Sequence, residues 1–219
     1  MNVIILAAGF GSRLKDLTKD RTKGLVQVGN LCLIDYALKF TEHNKIEKRI
    51  IVGGYTFDRM KAHIEKVNPA KTILLENKEF NKGSILTLNA AREYLNTDFL
   101  LMNVDHIYNP AMMTKIVGNI KGITAIVDFD RDFIEDDMKV KLNERGQILK
   151  IDKKLTDFDG GYIGMTTVSK ESLKDYLEAL DAVLRIKGEN AVVEPILQYL
   201  TDNGKQPNSL DLSGYQWFE

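Results

Sequence analysis

Val3-Ile4-Ile5-Leu6 is an unbroken apolar, partly β-branched run bounded by small residues, the pattern of a strand covered on both faces. Runs of the same kind recur at Arg49–Tyr55, Thr72–Leu75, Phe99–Val104 and Ile123–Phe129. Between them the apolar spacing turns helical. Leu33 to His43 places Ile34, Ala37, Leu38 and Thr41 on one side, and Phe57–Val67 and Ser84–Leu95 read the same way. Further on, the pattern predicts a short hairpin around Asn143–Gly146 leading into 147–155, and helices over Lys170–Leu184 and Glu189–Leu197. Strands alternating with helices predict an α/β fold with a largely parallel sheet covered on both faces. With no internal repeat, low-complexity segment or long linker, residues 1–219 read as one domain.

In such sheets ligands gather at the carboxyl ends of the strands. Two candidate groups fall there. The first strand ends in Ala7-Ala8-Gly9-Phe10-Gly11-Ser12-Arg13, where two glycines open backbone conformations closed to other residues and successive N–H groups can face one concavity. Arg13 adds a planar donor fork and Lys23 a mobile charge, both suited to phosphate. The loop is neither Walker-type, which needs Gly-Lys-Ser/Thr after four spacers, nor dinucleotide-type, since Leu14 stands where a third glycine belongs. The second group is Asp105-His106, directly after the strand Phe99–Val104. An acid there is either a cap for the next helix or a metal ligand. Between the two lies the polar segment 76–87, in which Asn81 or Ser84 is placed to cap a helix.

Composition narrows the classes. Hydrophobic residues make up 44% and charged residues 28% of 219, as in a soluble globular chain, and a net charge of −1 gives no basic footprint for nucleic acid. The single cysteine, Cys32, lies in an apolar run and reads as a buried thiol. No apolar run is long enough to span a bilayer, and functional residues begin at once, so the expected location is cytoplasmic.

The whole string from Leu6 through Val26 resembles the signature LAAGxGxRLxxxTxxxPKxLV of the nucleotidyltransferases that activate sugar phosphates and alcohol phosphates. Every fixed position matches except Thr22, where the family has proline. The resemblance implies a Rossmann-like fold of the nucleotide-diphospho-sugar transferase type, and a nucleotide bound along Leu6, Ala7, Ala8, Gly9, Gly11 and Ser12. It further implies that Gly9, Gly11 and Arg13 hold the leaving pyrophosphate, that Lys23 stabilises charge at the α-phosphate, and that Asp105 holds Mg²⁺. A hard carboxylate suits that ion; imidazole does not, so His106 is expected to orient Asp105 or meet the acceptor. Asn81, Gly83 and Ser84 stand where the family reads the nucleobase, in a segment closer to cytidylyltransferases than to amino-sugar uridylyltransferases.

The middle of the chain is similar to inositol-1-phosphate cytidylyltransferases, with Lys153 matching the lysine that reaches the acceptor's phosphate. Taken alone, the acidic run 135–137 is a solvated face. Gly160-Gly161-Tyr162-Ile163-Gly164 departs from that branch and looks more like phosphocholine and aminoethylphosphonate cytidylyltransferases. There Tyr162, Glu194 and Trp217 would meet a cationic head group, or belong to the core. Glu219 falls on the family's second Mg²⁺ ligand; the family normally continues beyond it, so 1–219 is carried as a domain that can be the N-terminal part of a longer chain. The expectation is an Mg²⁺-dependent cytidylyltransferase using CTP and a small phosphorylated alcohol or phosphonate, with a homodimer left open. A sugar-1-phosphate uridylyl- or thymidylyltransferase and a non-catalytic nucleotide-binding module are the rivals.

Overall fold

The computed structural model describes residues 1–11 and 21–219. In chain order the strands are β1 (Asn2–Ala7), β2 (Gln27–Val28), β3 (Leu31–Cys32), β4 (Lys48–Gly53), β5 (Thr72–Glu76), β6 (Phe99–Asn103), β7 (Ile107–Tyr108), β8 (Ile123–Asp128), β9 (Lys139–Leu142), β10 (Ile148–Asp152), β11 (Gly160–Val168), β12 (Asn208–Asp211) and β13 (Trp217–Phe218). The α-helices are α1 (Leu33–Phe40), α2 (Phe57–Val67), α3 (Ser84–Ala90), α4 (Ala111–Gly118), α5 (Leu173–Lys187) and α6 (Pro195–Asp202).

The apolar runs all fall in one sheet, whose order is β10-β9-β11-β6-β1-β4-β5, with β8 paired to β11 and β12 to β8, and the run in β5 forms an edge. β1 runs parallel to β4 and β6, and β4 to β5. Strand period decides which core each side chain joins. Ile4 and Leu6 pack on the face covered by α3, α5 and α6; Val3, Ile5 and Ala7 pack on the face covered by α1, α2 and α4. A fully apolar run is therefore what a strand sandwiched between two helical layers requires.

The parallel α/β centre thus matches the pattern-based expectation, while the margins need correction. β11 runs antiparallel to β6, β8 and β9, which the apolar pattern cannot reveal because both orientations bury the same faces. The helix expected over Ser84–Leu95 breaks after Ala90 into a 3-10 turn at Arg92–Tyr94. The helix expected over Glu189–Leu197 begins only at Pro195, whose ring suits a first helical turn. Residues 189–194 instead form a turn, with the Glu189 and Ala191 carbonyls accepting the amides of Gly83 (2.8 Å) and Ile85 (3.1 Å). The apolar pattern does not mark α4, β7, β12 or β13.

Along β11 the register shifts between Tyr162 and Thr166, and Gly164 in that interval has φ +76°. The bulge brings His106 and Tyr108 so close that a Cβ on Gly164 would lie 3.0 Å from His106 Cε1. Glycine is required there twice over, by dihedral and by space. Gly160 and Gly161 do not approach the cavity: the Phe129 and Phe133 rings occupy the room a Cβ would need.

Candidate active site

The carboxyl ends of β1 and β6 open into a cavity of about 330 Å³. Its first wall is Leu6, Ala8 and Gly9. Ala8 is buried and its carbonyl accepts the Tyr55 amide at 3.0 Å, which fixes the strand exit, while Gly9 is exposed. Ala7 packs into the core and Gly11 has φ +66°; neither lines the cavity. Ser12 and Arg13 lie outside the described residues.

Thr22, the departure from the signature, is fully buried with φ −61° and ψ 153°, a conformation proline also adopts. Its hydroxyl donates to the Ala7 carbonyl at 3.1 Å, and its amide donates to Thr56 Oγ1 at 2.8 Å, a bond proline lacks the N–H to make. Hydrogen bonds replace ring rigidity here, and the 3-10 turn Lys23–Leu25 stays in place with Lys23 at the cavity floor.

Lys23 Nζ lies 2.5 Å from Asp105 Oδ2. The other carboxylate oxygen lies 2.9 Å from His106 Nδ1. Burial raises the Asp105 carboxyl, but the His106 hydrogen bond and charge, with the Lys23 ammonium, outweigh it and hold the group well below the usual carboxylate range. Asp105 is therefore an anion whenever the protein is folded at neutral pH. The buried His106 ring stacks between Tyr108 and Trp217, with centroids 5.6 Å away on each side. Its Nε2 is 3.5 Å from Glu219 Oε2, so one imidazole stands between two carboxylates and orients the first.

Trp217 is held from three sides. Nε1 donates to the buried Asp128 Oδ2 at 2.7 Å, the strand β13 pairs with β7, and the Arg131 guanidinium lies 4.2 Å above the ring. It forms a cavity wall and anchors the segment that presents Glu219.

The same cavity is also lined by Phe133, Asp136, Asp137, Met138, Lys153, Tyr162, Val192 and Glu194. Lys153 Nζ pairs with Asp136 Oδ1 at 2.5 Å. Lys139 is buried and its ammonium donates to the carbonyls of Ile134 (2.8 Å) and Lys153 (2.9 Å), tying the acidic loop to the strand end that carries Lys153. The Tyr162 hydroxyl shares a hydrogen bond with Thr166 Oγ1 at 2.9 Å; burial, and then Glu194, push its phenol well above the ordinary value. Burial likewise raises Glu194, against the charge of Lys153.

The third wall comes from the 78–87 segment. Ser84 and Thr87 line the cavity with Phe80 and Lys82; Asn81 is exposed and off the cavity. Neither Asn81 nor Ser84 caps α3, whose N-cap is Gly83 without a side-chain bond. Gly83 faces the 189–191 turn, where its amide is already used and a Cβ would stand 1.9 Å from the Ala191 oxygen. Lys82 braces the same contact, 2.6 Å from Glu79 and 2.5 Å from Glu189.

The fold thus gathers Leu6, Ala8, Gly9, Lys23, Ser84, Asp105, His106, Lys153, Tyr162, Glu194, Trp217 and Glu219 around one cavity. Sequence reasoning does not single out Asp136, Asp137, Phe133, Phe80, Lys82 or Asn103, which line it as well. An acidic run has no periodicity to mark which carboxylates turn inward, and only the Lys153 partnership identifies Asp136. Asp105 and Glu219 offer hard oxygen donors on the cavity lining, one of them firmly ionised, which fits the donor chemistry of Mg²⁺. Among the described residues no helix is long and apolar enough to cross a membrane.

The family model described as nucleotidyl transferase matches residues 2–128. A CTP:phosphoglutamine cytidylyltransferase of Campylobacter jejuni is 27% identical across all of this chain and 95% of its own length. A bifunctional IPC transferase and DIPP synthase of Rubrobacter xylanophilus is 26% identical over 97% of this chain, which spans 47% of that relative. Among solved structures, the inositol-1-phosphate CTP transferase from T. maritima superposes with a TM-score of 0.83 at 22% identity, covering 100% of this chain and 88% of that one.

Proposed function

Because the chain belongs to the nucleotidyl transferase family and is an enzyme of that kind, we propose that it transfers CMP from CTP to a small phosphorylated acceptor bearing an ammonium group, in an Mg²⁺-dependent reaction. The observation that carries this reading is a pair of lysine–carboxylate contacts on one cavity lining. Lys23 meets Asp105, which follows β6, and Lys153 meets Asp136.

A phosphate oxygen of the acceptor attacks the α-phosphorus of CTP. A new P–O bond forms as the bond to the β-phosphate bridging oxygen breaks, and pyrophosphate leaves. Two anions must be brought together, so positioning and charge neutralisation supply most of the acceleration. Lys23 faces the α-phosphate once the incoming nucleotide competes for its contact with Asp105. Lys153 receives the acceptor phosphate in exchange for Asp136. Ala8 and Gly9 present backbone to the nucleotide, and Ser84 faces the base. Asp105 and Glu219 would hold the metal, which when bound neutralises phosphate charge. His106 keeps Asp105 oriented and ionised.

The acceptor's ammonium group is inferred from Asp136, Asp137 and Glu194, which line the cavity together with the aromatic Tyr162. Glu194, destabilised as an anion by burial, gains from a cation at that position. The name of the Campylobacter relative supports CTP as donor and a phosphorylated amino compound as acceptor. A second reading, inositol 1-phosphate as acceptor, is favoured by Lys153, which matches the acceptor-phosphate lysine of inositol-1-phosphate cytidylyltransferases.

Pyrophosphate release tests both. CTP, UTP, dTTP and ATP are crossed with phosphocholine, 2-aminoethylphosphonate, phosphoglutamine, inositol 1-phosphate and glucose 1-phosphate in Mg²⁺. Turnover with CTP and an ammonium-bearing acceptor is expected. Turnover confined to inositol 1-phosphate selects the second reading, and turnover confined to UTP or dTTP with glucose 1-phosphate rejects both.

A further inference from the structure

Cys32, Asp35 and His63 lie outside the cavity and take no part in the reaction above. Each presents one ligand atom, and these atoms all fall within 4.8 Å of one another. We propose that they form a second metal site, for a borderline-soft divalent cation of the Zn²⁺ class, that clamps α1 to α2 beneath the turn carrying Lys23.

Local structure already orients the donors. Cys32 ends β3 and is the N-cap residue of α1, so its thiol and the carboxylate three residues on face the same helix start. The Cys32 amide donates to Asp35 Oδ2 at 2.9 Å, which fixes that carboxylate and leaves Oδ1 directed outward. Oδ1 meets His63 Nε2 from α2 at 2.7 Å. A bound cation would take the place of this hydrogen bond, and the Cys32 amide would remain as the outer contact that orients the ligating carboxylate.

Donor chemistry selects the ion. Sulfur, imidazole nitrogen and one carboxylate oxygen form the mixed set that Zn²⁺ accepts tetrahedrally with water in the fourth position, at about 2.3 Å for sulfur and about 2.0–2.2 Å for the others. In a tetrahedron of that size neighbouring ligand atoms stand roughly 3.3–3.6 Å apart, so Asp35 and His63 need to separate by about half an ångström. Thiolate and carboxylate together match a divalent charge. Mg²⁺, which seeks oxygen ligands, does not compete for such a set. The side chains of His63 and Asp35 are 23% and 15% exposed, enough for entry from solvent and for a water ligand.

Position gives the site a consequence. The Lys23–Leu25 turn rests on both clamped helices: the Gly24 α-carbon faces Met60 of α2 and Ile34 of α1, the Val26 carbonyl accepts the Leu33 amide at 3.0 Å, and Thr22 hydrogen-bonds Thr56 at the start of α2. Joining α1 to α2 would stabilise the platform under Lys23, raising thermal stability because only the folded chain assembles the three donors.

The test uses Co²⁺ as a spectroscopic probe on metal-stripped protein in excess Mg²⁺. The expected result is one equivalent of Co²⁺ giving a near-ultraviolet sulfur-to-cobalt charge-transfer band with tetrahedral visible bands, displaced by Zn²⁺. C32S should lose the charge-transfer band, and H63Q should weaken Co²⁺ binding at least tenfold, both variants keeping their far-ultraviolet circular dichroism. Zn²⁺ should raise the melting temperature of the unaltered chain and not that of C32S. No charge-transfer band, or undiminished affinity in H63Q, would overturn the site and leave a helix cap beside an ion pair.

Discussion

Gly83→Ala separates two reasons for a glycine in the segment proposed to face the base. Its φ of −71° suits any residue, so alanine alone would stabilise by about 0.4–1 kcal/mol through the unfolded chain. Space decides otherwise. The new Cβ would stand 1.9 Å from the Ala191 oxygen and 2.5 Å from the Asn190 carbonyl carbon, both backbone, where ordinary contact begins near 3.4 Å. The 189–191 turn must retreat by about 1.5 Å. That breaks or strains the Gly83–Glu189 and Ile85–Ala191 hydrogen bonds, worth about 0.5–1.5 kcal/mol each, on top of an overpacking cost of about 1–3 kcal/mol. A net loss of about 3 kcal/mol lowers the melting temperature of a chain this size by roughly 6–12 °C. Thermal unfolding followed by circular dichroism measures it. Because Val192 and Glu194 follow the turn into the cavity, KM for the acceptor should rise more than KM for CTP. A melting temperature unchanged or raised, with CTP binding alone lost, would refute the packing argument and return Gly83 to the nucleotide.

Other outcomes follow from the same geometry. Lys23→Ala should lower kcat by about 10²–10³, as for loss of one preorganised charge partner, while stability changes by no more than about 1 kcal/mol because the pair with Asp105 is partly solvated; a variant with full kcat would remove Lys23 from the chemistry. Burial raises Glu194 above its ordinary 4.5, so ionisation opposes folding: stability should fall as pH rises from 4.5 through the raised value, then level off. Urea midpoints from pH 4 to 8 should show that decline flattened in Glu194→Gln, and an identical decline in both proteins would locate it elsewhere. Thr22→Val should cost about 1–2 kcal/mol through the lost bond to Ala7, and Thr22→Pro more, since it also forfeits the bond to Thr56. If proline proves the more stable variant, ring rigidity outweighs those bonds.

Much of this molecule was legible from residue order because its centre obeys one rule. Val3 to Leu6 are apolar without a break, as a strand buried between two helical layers requires, whichever way its neighbours run. Asp105 was legible as an acid at the end of a buried strand, and its role, like that of Lys23, came from the resemblance to the nucleotidyltransferase signature. Elsewhere the sequence lacked the needed information. Glu189–Leu197 carries helical spacing, yet its first half is claimed by the amides of Gly83 and Ile85, partners more than a hundred positions away. Trp217 reads equally as a head-group contact or as core until Asp128 and Arg131 are seen to hold it at the cavity wall. Asp136 reads as solvated until Lys153 is seen opposite. In each case the deciding contact comes from a distant strand or loop, where local periodicity has no reach.

The proposed reaction turns on the bond made at the α-phosphorus of CTP. A ³¹P spectrum of the protein with CTP, Mg²⁺ and phosphocholine, 2-aminoethylphosphonate or phosphoglutamine tests it directly. Cytidylyl transfer removes the three triphosphate resonances, produces inorganic pyrophosphate, and gives a new pair of coupled resonances from a cytidylyl-linked acceptor. A spectrum in which CTP yields only orthophosphate and CDP, or stays unchanged with every acceptor, would contradict it.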